Sequence, residues 1–400
     1  LSFQFDVKTY QKRDSSILFF LKRPFPLNHF PSGGALKIGD YLSMNAEREA
    51  RLKELAVFSP RKEESHIGAR IGISPFDQKI LDSIVPKTNQ ARKKGIFYPR
   101  ASMVHLSQRC NHSCPGCYFG KERNKKDIFL APEKFPELLK YLHSLKVKFI
   151  HLGEGGEDTL HPKFDEFTRR CIDEGFELSL LTNASSIPPN TIQLLLQAFS
   201  VIRVALDASE VGVYDRIHRP AKHREFEKVL ANLDGMVAER NRRKSHLVLG
   251  AEVRLCQANM NFTEQIVQLA KDLGLDYIQF LFERNDTNRL LPDQETQARR
   301  LIRDLVCSFH PFPIYVTEKD KKPKGGCLLV TSLLVITPSG DTYPCPHFHR
   351  RSDITSLGNI FSLPSEEIWF GGEHHRIARR LSQGGCHIEG CRWRITPKLV

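Results

Sequence analysis

Long hydrophobic runs are missing from this 400-residue chain. The longest apolar stretches, at 17–21 and 328–336, fall far short of the ~20 residues that a membrane-spanning helix needs. The first residues lack the basic-then-apolar layout of a secretory leader. There is no initial Met either, so Leu1 need not be the true start. The expected compartment is the cytoplasm, with no membrane partner. Cysteine is too sparse for a disulfide scaffold, with ten in the chain. In a reducing compartment, clustered cysteines read as metal ligands instead. Basic residues are not interleaved with aromatics in the manner of an RNA-stacking platform. The formal charge of +13 therefore reads first as a solvated basic surface, and only second as a mark of an acidic or nucleic-acid partner.

The length leaves room for two or three domains, and 26% charged with 40% apolar residues fits a globular chain. Residues 1–95 carry no motif. Within them, 46–55 and 76–84 read as helices and 87–94 as a polar, basic linker. From about residue 100 the pattern alternates. Strands are expected at 102–106, 147–152, 178–181, 201–206, 247–255 and 277–282. Helices are expected between them at 138–145, 164–172, 192–199, 226–237 and 266–273, from apolar residues at i, i+3, i+4 and i+7. Six such steps imply parallel strands with crossover helices. The count alone fits a partial (β/α)6 barrel or a doubly wound sheet. In either, ligands gather at the carboxyl ends of the strands.

Seven of the ten cysteines fall in two groups: Cys110, Cys114 and Cys117, then Cys327, Cys345, Cys386 and Cys391. The first group has the pattern C-x3-C-x2-C directly after strand 1. Three thiolates are one short of closing a zinc site or an iron–sulfur cubane. After strand 2 come Gly155, Gly156, Glu157 and Asp158; after strand 3, Thr182 and Asn183; after strand 4, Leu206 and Asp207. Each alone is a turn or a cap. Their order at successive strand ends is harder to explain so simply.

That order resembles the radical S-adenosylmethionine (radical SAM) enzymes and selects the partial TIM-like (β/α)6 barrel. The resemblance implies a [4Fe–4S] cluster on Cys110, Cys114 and Cys117 with one iron open to S-adenosylmethionine. One electron from the cluster would then give a 5′-deoxyadenosyl radical. It implies that Gly155, Gly156 and Glu157 bind the methionyl ammonium, although Asp158 stands where the family usually has Pro. It also places Thr182, Asn183 and Asp207 near the cofactor, with Arg216, Arg219 or Arg224 as candidates for its carboxylate. Asn259 and Asn261 are familiar in position. The family often has an aromatic residue before the third cysteine; here it is Gly116, so Tyr118 or Phe119 is the candidate adenine wall.

Beyond a basic helix around 298–306, a strand is expected over 328–336, then a tight turn at Pro338, Ser339, Gly340 and Asp341. The C-x12-G-x4-C spacing of Cys327, Gly340 and Cys345, a Leu-Gly-Asn-Ile segment at 357–360 and the pair Cys386 and Cys391 resemble the family's SPASM and twitch modules. Four cysteines rather than about seven imply the twitch form, a β-hairpin-plus-helix domain holding one auxiliary [4Fe–4S] cluster. A structural zinc site would use the same four thiolates. The expected division is an extension (1–95), a barrel (96–310) and an auxiliary-cluster domain (311–400). Cys171 and Cys307 read as small buried hydrophobes within helices, and His105 and His151 as satisfied core residues. Cys256, Glu283 and Arg284 end strands 5 and 6, where substrate would sit.

The resemblance implies an enzyme that oxidises or cross-links a substrate, a peptide or protein before a small alcohol or sugar. Flavodoxin or ferredoxin would supply electrons. An RNA-modifying enzyme and a zinc-stapled binding protein without catalysis are the alternatives.

Overall fold

The computed structural model describes residues 98–99, 101–117, 119–120, 128–222, 224–283, 288–316, 327, 329–386, 388 and 391. All belong to one compact unit, Arg48–Val400. The helices expected at 46–55 and 76–84, the linker at 87–94, Tyr118 and Arg284 lie outside the described residues.

The alternation is as the sequence implies. The strands β1 (Ala101–Val104), β2 (Phe149–Leu152), β3 (Glu177–Thr182), β4 (Phe199–Ala205), β5 (Val248–Leu255) and β6 (Tyr277–Phe282) are parallel neighbours in that order. Nearly all their residues are buried on both faces. That is the pattern of a parallel sheet covered by crossover helices. The helices are α1 (Phe135–Ser144), α2 (Phe164–Asp173), α3 (Pro189–Ala198), α4 (Val211–His218), α5 (Glu225–Arg243), α6 (Thr263–Asp272) and α7 (Pro292–Ser308). Each buries one apolar stripe; α1, for example, buries Phe135, Leu138, Leu139 and Leu142.

Two strands and one cysteine differ from expectation. After α7, a short strand β7 (Ile314–Val316) pairs parallel to β6. The apolar run at 328–336 is not one strand. Leu329–Thr331 is a 3-10 turn, and only β8 (Leu333–Ile336) is extended. Strand β8 pairs parallel to β1. It then turns into the antiparallel β9 (Asp341–Tyr343), which pairs with β10 (Gly358–Asn359). Helices α8 (Ser365–Trp369) and α9 (Gly372–Ser382) follow. The described strands thus form one open ten-stranded sheet, β10-β9-β8-β1-β2-β3-β4-β5-β6-β7. The C-terminal hairpin continues the barrel sheet through β1. Cys171 is buried in α2 as expected, but Cys307, near the end of α7, is exposed. It falls on the solvent side of the helix, opposite Ala298, Ile302 and Leu305.

Candidate active site

Because β1 to β6 run parallel, their carboxyl ends share one side, and the loops there build a single cavity. The cysteine loop leaves β1 and is tied at once to the loop after β2. The buried Asp158 carboxylate accepts from the N–H groups of Leu106 and Ser107, both at 2.9 Å, and from Gly153 N–H at 2.7 Å. The Glu157 N–H donates to Arg109 O at 2.8 Å. Gly156 permits this approach, since a Cβ there would meet Arg109 O at 2.4 Å. Asp158 in place of Pro is therefore a stitch between the ends of β1 and β2.

Glu157 is 3% exposed. Its Oε1 accepts from the hydroxyls of Thr182 and Thr159, both at 2.7 Å, and its Oε2 from Asn183 N–H at 2.7 Å. Burial pushes this carboxyl up, and those donors pull it back. Asn183 Nδ2 donates to Asn111 Oδ1 at 2.9 Å and lies 4.0 Å from Cys110 Sγ. Thr182 and Asn183 thus hold the Glu157 carboxylate against the cysteine loop.

The loop's other flank rests on α4 and β4. His218 Nδ1 lies 3.5 Å from Cys114 Sγ, and its Nε2 lies 3.2 Å from Asp207 Oδ2. Burial alone would lower the imidazole's pKa. The sulfur and the carboxylate outweigh it and push it up to about 10. Asp207 has φ +54° and also accepts from Arg254 N–H, while buried Asn259 donates to Asp207 O at 2.9 Å.

Cys110, Cys114 and Cys117 line the cavity, as do Gly155, Gly156, Glu157, Thr182, Asn183 and Asp207. The cavity also takes in Phe119, Cys256 and Glu283. Burial pushes the Cys256 thiol up to about 11. A Cβ on Gly116 would lie 2.1 Å from Glu283 Oε2. The space beside Gly116 is filled by a carboxylate from the end of β6. Arg216, Arg219 and Arg224 are exposed and do not line the cavity. The cavity wall does carry a guanidinium not singled out by the sequence motifs, Arg254, whose Nη2 lies 3.3 Å from Glu252 Oε1. Glu252 is paired in turn with the fully buried Arg203 at 2.9 Å. His151 Nδ1 lies 3.0 Å from Ser179 Oγ. His105 is buried too, but its Nε2 has no hydrogen-bond partner among the described residues, and burial lowers its pKa to about 4.

Of the second cysteine group, Cys327, Cys345 and Cys386 lie near one another beside β8 to α9. The Cys327 N–H donates to Leu381 O at 2.8 Å. Cys345 Sγ accepts from His347 N–H at 3.4 Å, and Cys386 Sγ accepts from Arg351 Nη1 at 3.2 Å. Burial pushes the Cys345 thiol up to about 12, and the neighbouring sulfurs of Cys327 and Cys386 add to that push. Cys391 packs half-buried against the core. Phe119 joins the two regions, its ring stacked on His349 with centroids 4.0 Å apart.

Three soft ligands lining one cavity at the end of a partial barrel, beside a buried carboxylate cradle, are a donor set that fits a metal centre with an open position. The comparisons agree. Residues 104–253 match the radical SAM superfamily, and residues 327–392 match SPASM, an iron–sulfur cluster-binding domain. The PqqA peptide cyclase of Streptomyces rochei is 25% identical over 295 residues, covering 70% of this chain and 78% of its own length. The AdoMet-dependent heme synthase of Methanosarcina barkeri is 23% identical over 335 residues, covering 74% and 92%. SuiB of Streptococcus suis, solved bound to its precursor peptide SuiA, shares the fold with TM-score 0.58 at 14% identity, over 86% of this chain and 82% of that one. The chain is a radical SAM enzyme with a C-terminal SPASM domain. Its cofactors are a [4Fe–4S] cluster with S-adenosylmethionine and an auxiliary iron–sulfur cluster. A binding protein without catalysis is thereby set aside. Among the described residues no helix is long and apolar enough to cross a membrane.

Proposed function

We propose that this chain oxidises or cross-links a peptide or protein. The observation that carries the reading is one cavity that gathers the three-cysteine loop and the Glu157 cradle, with a second cysteine group appended to the same sheet. Likeness to a peptide cyclase over 70% of the chain supports a peptide. The donor set fits the cofactors: three thiolates for the open cluster and four for the auxiliary one. Cys110, Cys114 and Cys117 hold the first, and Cys327, Cys345, Cys386 and Cys391 the second. When bound, cluster and S-adenosylmethionine supply a hydrogen-abstracting radical.

The chain's own residues orient and shield. Glu157, fixed by Thr182 and Asn183, would accept from the cofactor ammonium. Arg254, at the cavity wall, would take its carboxylate in place of the exposed Arg216. Phe119 walls the cavity beside the cysteine loop, and Glu283 faces it from β6 as the acceptor for a substrate proton. In this reading residues 96–310 form the barrel and 311–400 the auxiliary-cluster module. The protein works in the cytoplasm, with flavodoxin or ferredoxin as electron donor.

Likeness to the heme synthase favours a second reading, oxidation of a small molecule. Turnover with a library of Tyr-, Trp-, Lys- and Glu-containing peptides distinguishes them. A peptide product lighter by one pair of hydrogens, formed together with 5′-deoxyadenosine, is expected. Nucleoside formed without any altered peptide, alongside an oxidised small molecule, would move the assignment to the second reading.

A further inference from the structure

We propose that Arg351 positions Cys386 and raises the reduction potential of the auxiliary centre. This rests on the reading that Cys386 is a cluster ligand. The Arg351 side chain is fully buried. Its Nη1 donates to Cys386 Sγ at 3.2 Å. Its other edge is a two-point fork on Asp353, with Nε to Oδ1 at 2.9 Å and Nη2 to Oδ2 at 2.6 Å. Asp353 is itself clamped by Arg380, which reaches its Oδ2 at 2.9 Å and its carbonyl at 2.7 Å. The backbone is pinned as well, since Arg351 N–H donates to Phe348 O at 3.0 Å, next to the turn that carries Cys345. The cation is therefore fixed in place, with one N–H aimed at a sulfur.

A cubane held by four thiolates is anionic and gains one more negative charge on one-electron reduction. A fixed cation and an N–H···S bond stabilise the reduced form more than the oxidised one. Removing them lowers the potential. Asp353 offsets part of this field but is 25% exposed at its side chain and screened by water, whereas the guanidinium is dry. The consequence is an auxiliary centre biased towards accepting an electron. Lys cannot replace the fork, because an ammonium has no planar pair of edges to span Asp353 and sulfur together.

The test is an EPR-monitored redox titration of the full-length, anaerobically reconstituted protein and of Arg351→Gln and Arg351→Lys. The expected result is unchanged iron content, an auxiliary signal that titrates at lower potential in Arg351→Gln, a smaller shift in Arg351→Lys, and no shift in the cofactor-binding cluster. A merely structural clamp leaves the potential where it is, and equal potentials at equal iron would overturn the proposal. If Arg351→Gln loses auxiliary iron, Arg351→Lys decides alone, and an unshifted potential there overturns it. Cys386→Ala separates the proposal from the reading beneath it. An auxiliary signal and iron content that survive this change show that Cys386 is not a ligand, whatever Arg351 does.

Discussion

Asp158 shows how much one residue can carry. Its carboxylate serves three backbone N–H groups at the ends of two strands. Asp158→Ala leaves those donors buried and unpaired, at about 1–3 kcal/mol each. Urea denaturation should show a large fall in stability; a change within error would contradict the stitch. Burial also pushes the carboxyl up from 3.8 to about 7. The native state then holds the proton more tightly than the unfolded chain. This contribution is full below pH ~4 and is lost as pH rises towards 7. The stability of the native protein relative to Asp158→Asn should therefore fall between pH 4 and 7 and level off above. A difference that is flat across that window would count against it. At Glu157, replacement by Gln keeps the shape but removes the charge proposed to meet the cofactor ammonium. Iron content should hold while 5′-deoxyadenosine formation falls at least tenfold; undiminished formation removes Glu157 from the cofactor site. That Cys110, Cys114, Cys117 and Glu157 share one cavity was legible because each belongs to a short motif at a strand end. Arg254, His218 and the contact of Glu283 with Gly116 were not, because each joins segments far apart in sequence. The exposure of Arg216 was equally illegible: its motif is familiar, but on α4 it faces solvent, outside the cavity lining.

At the scale of elements, the long strands and helices were legible because hydrophobic period and length reinforce each other. β7 has three residues, too few for any period to register. The 3-10 turn at Leu329–Thr331 hides in an apolar run because it is as buried as the strand after it. The pairing of β8 with β1 leaves no mark in either strand. The link between loops is equally invisible: Phe119 stacks on His349, and Tyr343 stacks on Phe348 with centroids 3.7 Å apart. Aromatic pairs of this kind are worth about 0.5–1.5 kcal/mol beyond their buried area. Phe119→Ala should raise amide exchange both in the cysteine loop and around 345–350. Exchange raised in the cysteine loop alone would show that the stack does not couple them.

At the scale of the molecule, the auxiliary module is part of the barrel's own sheet. β8 covers the edge of β1, with Ser102 Oγ donating to Leu334 O at 3.1 Å and His105 N–H to Ile336 O at 2.9 Å. A chain ending before Cys327 would expose that edge beside the first cysteine loop. It should aggregate or fail to hold iron at Cys110, Cys114 and Cys117; a stable truncation with full iron there would contradict the shared sheet. This one sheet is expected to present two iron–sulfur centres, one of them open to S-adenosylmethionine. The most direct measurement is iron content and 5′-deoxyadenosine formation after anaerobic reconstitution and reduction, in the native protein and in a variant with Cys110, Cys114 and Cys117 changed to Ala. About eight irons with nucleoside formed, against about four irons and no nucleoside in the variant, is the predicted result. Nucleoside formed at the native rate by the variant would contradict the account.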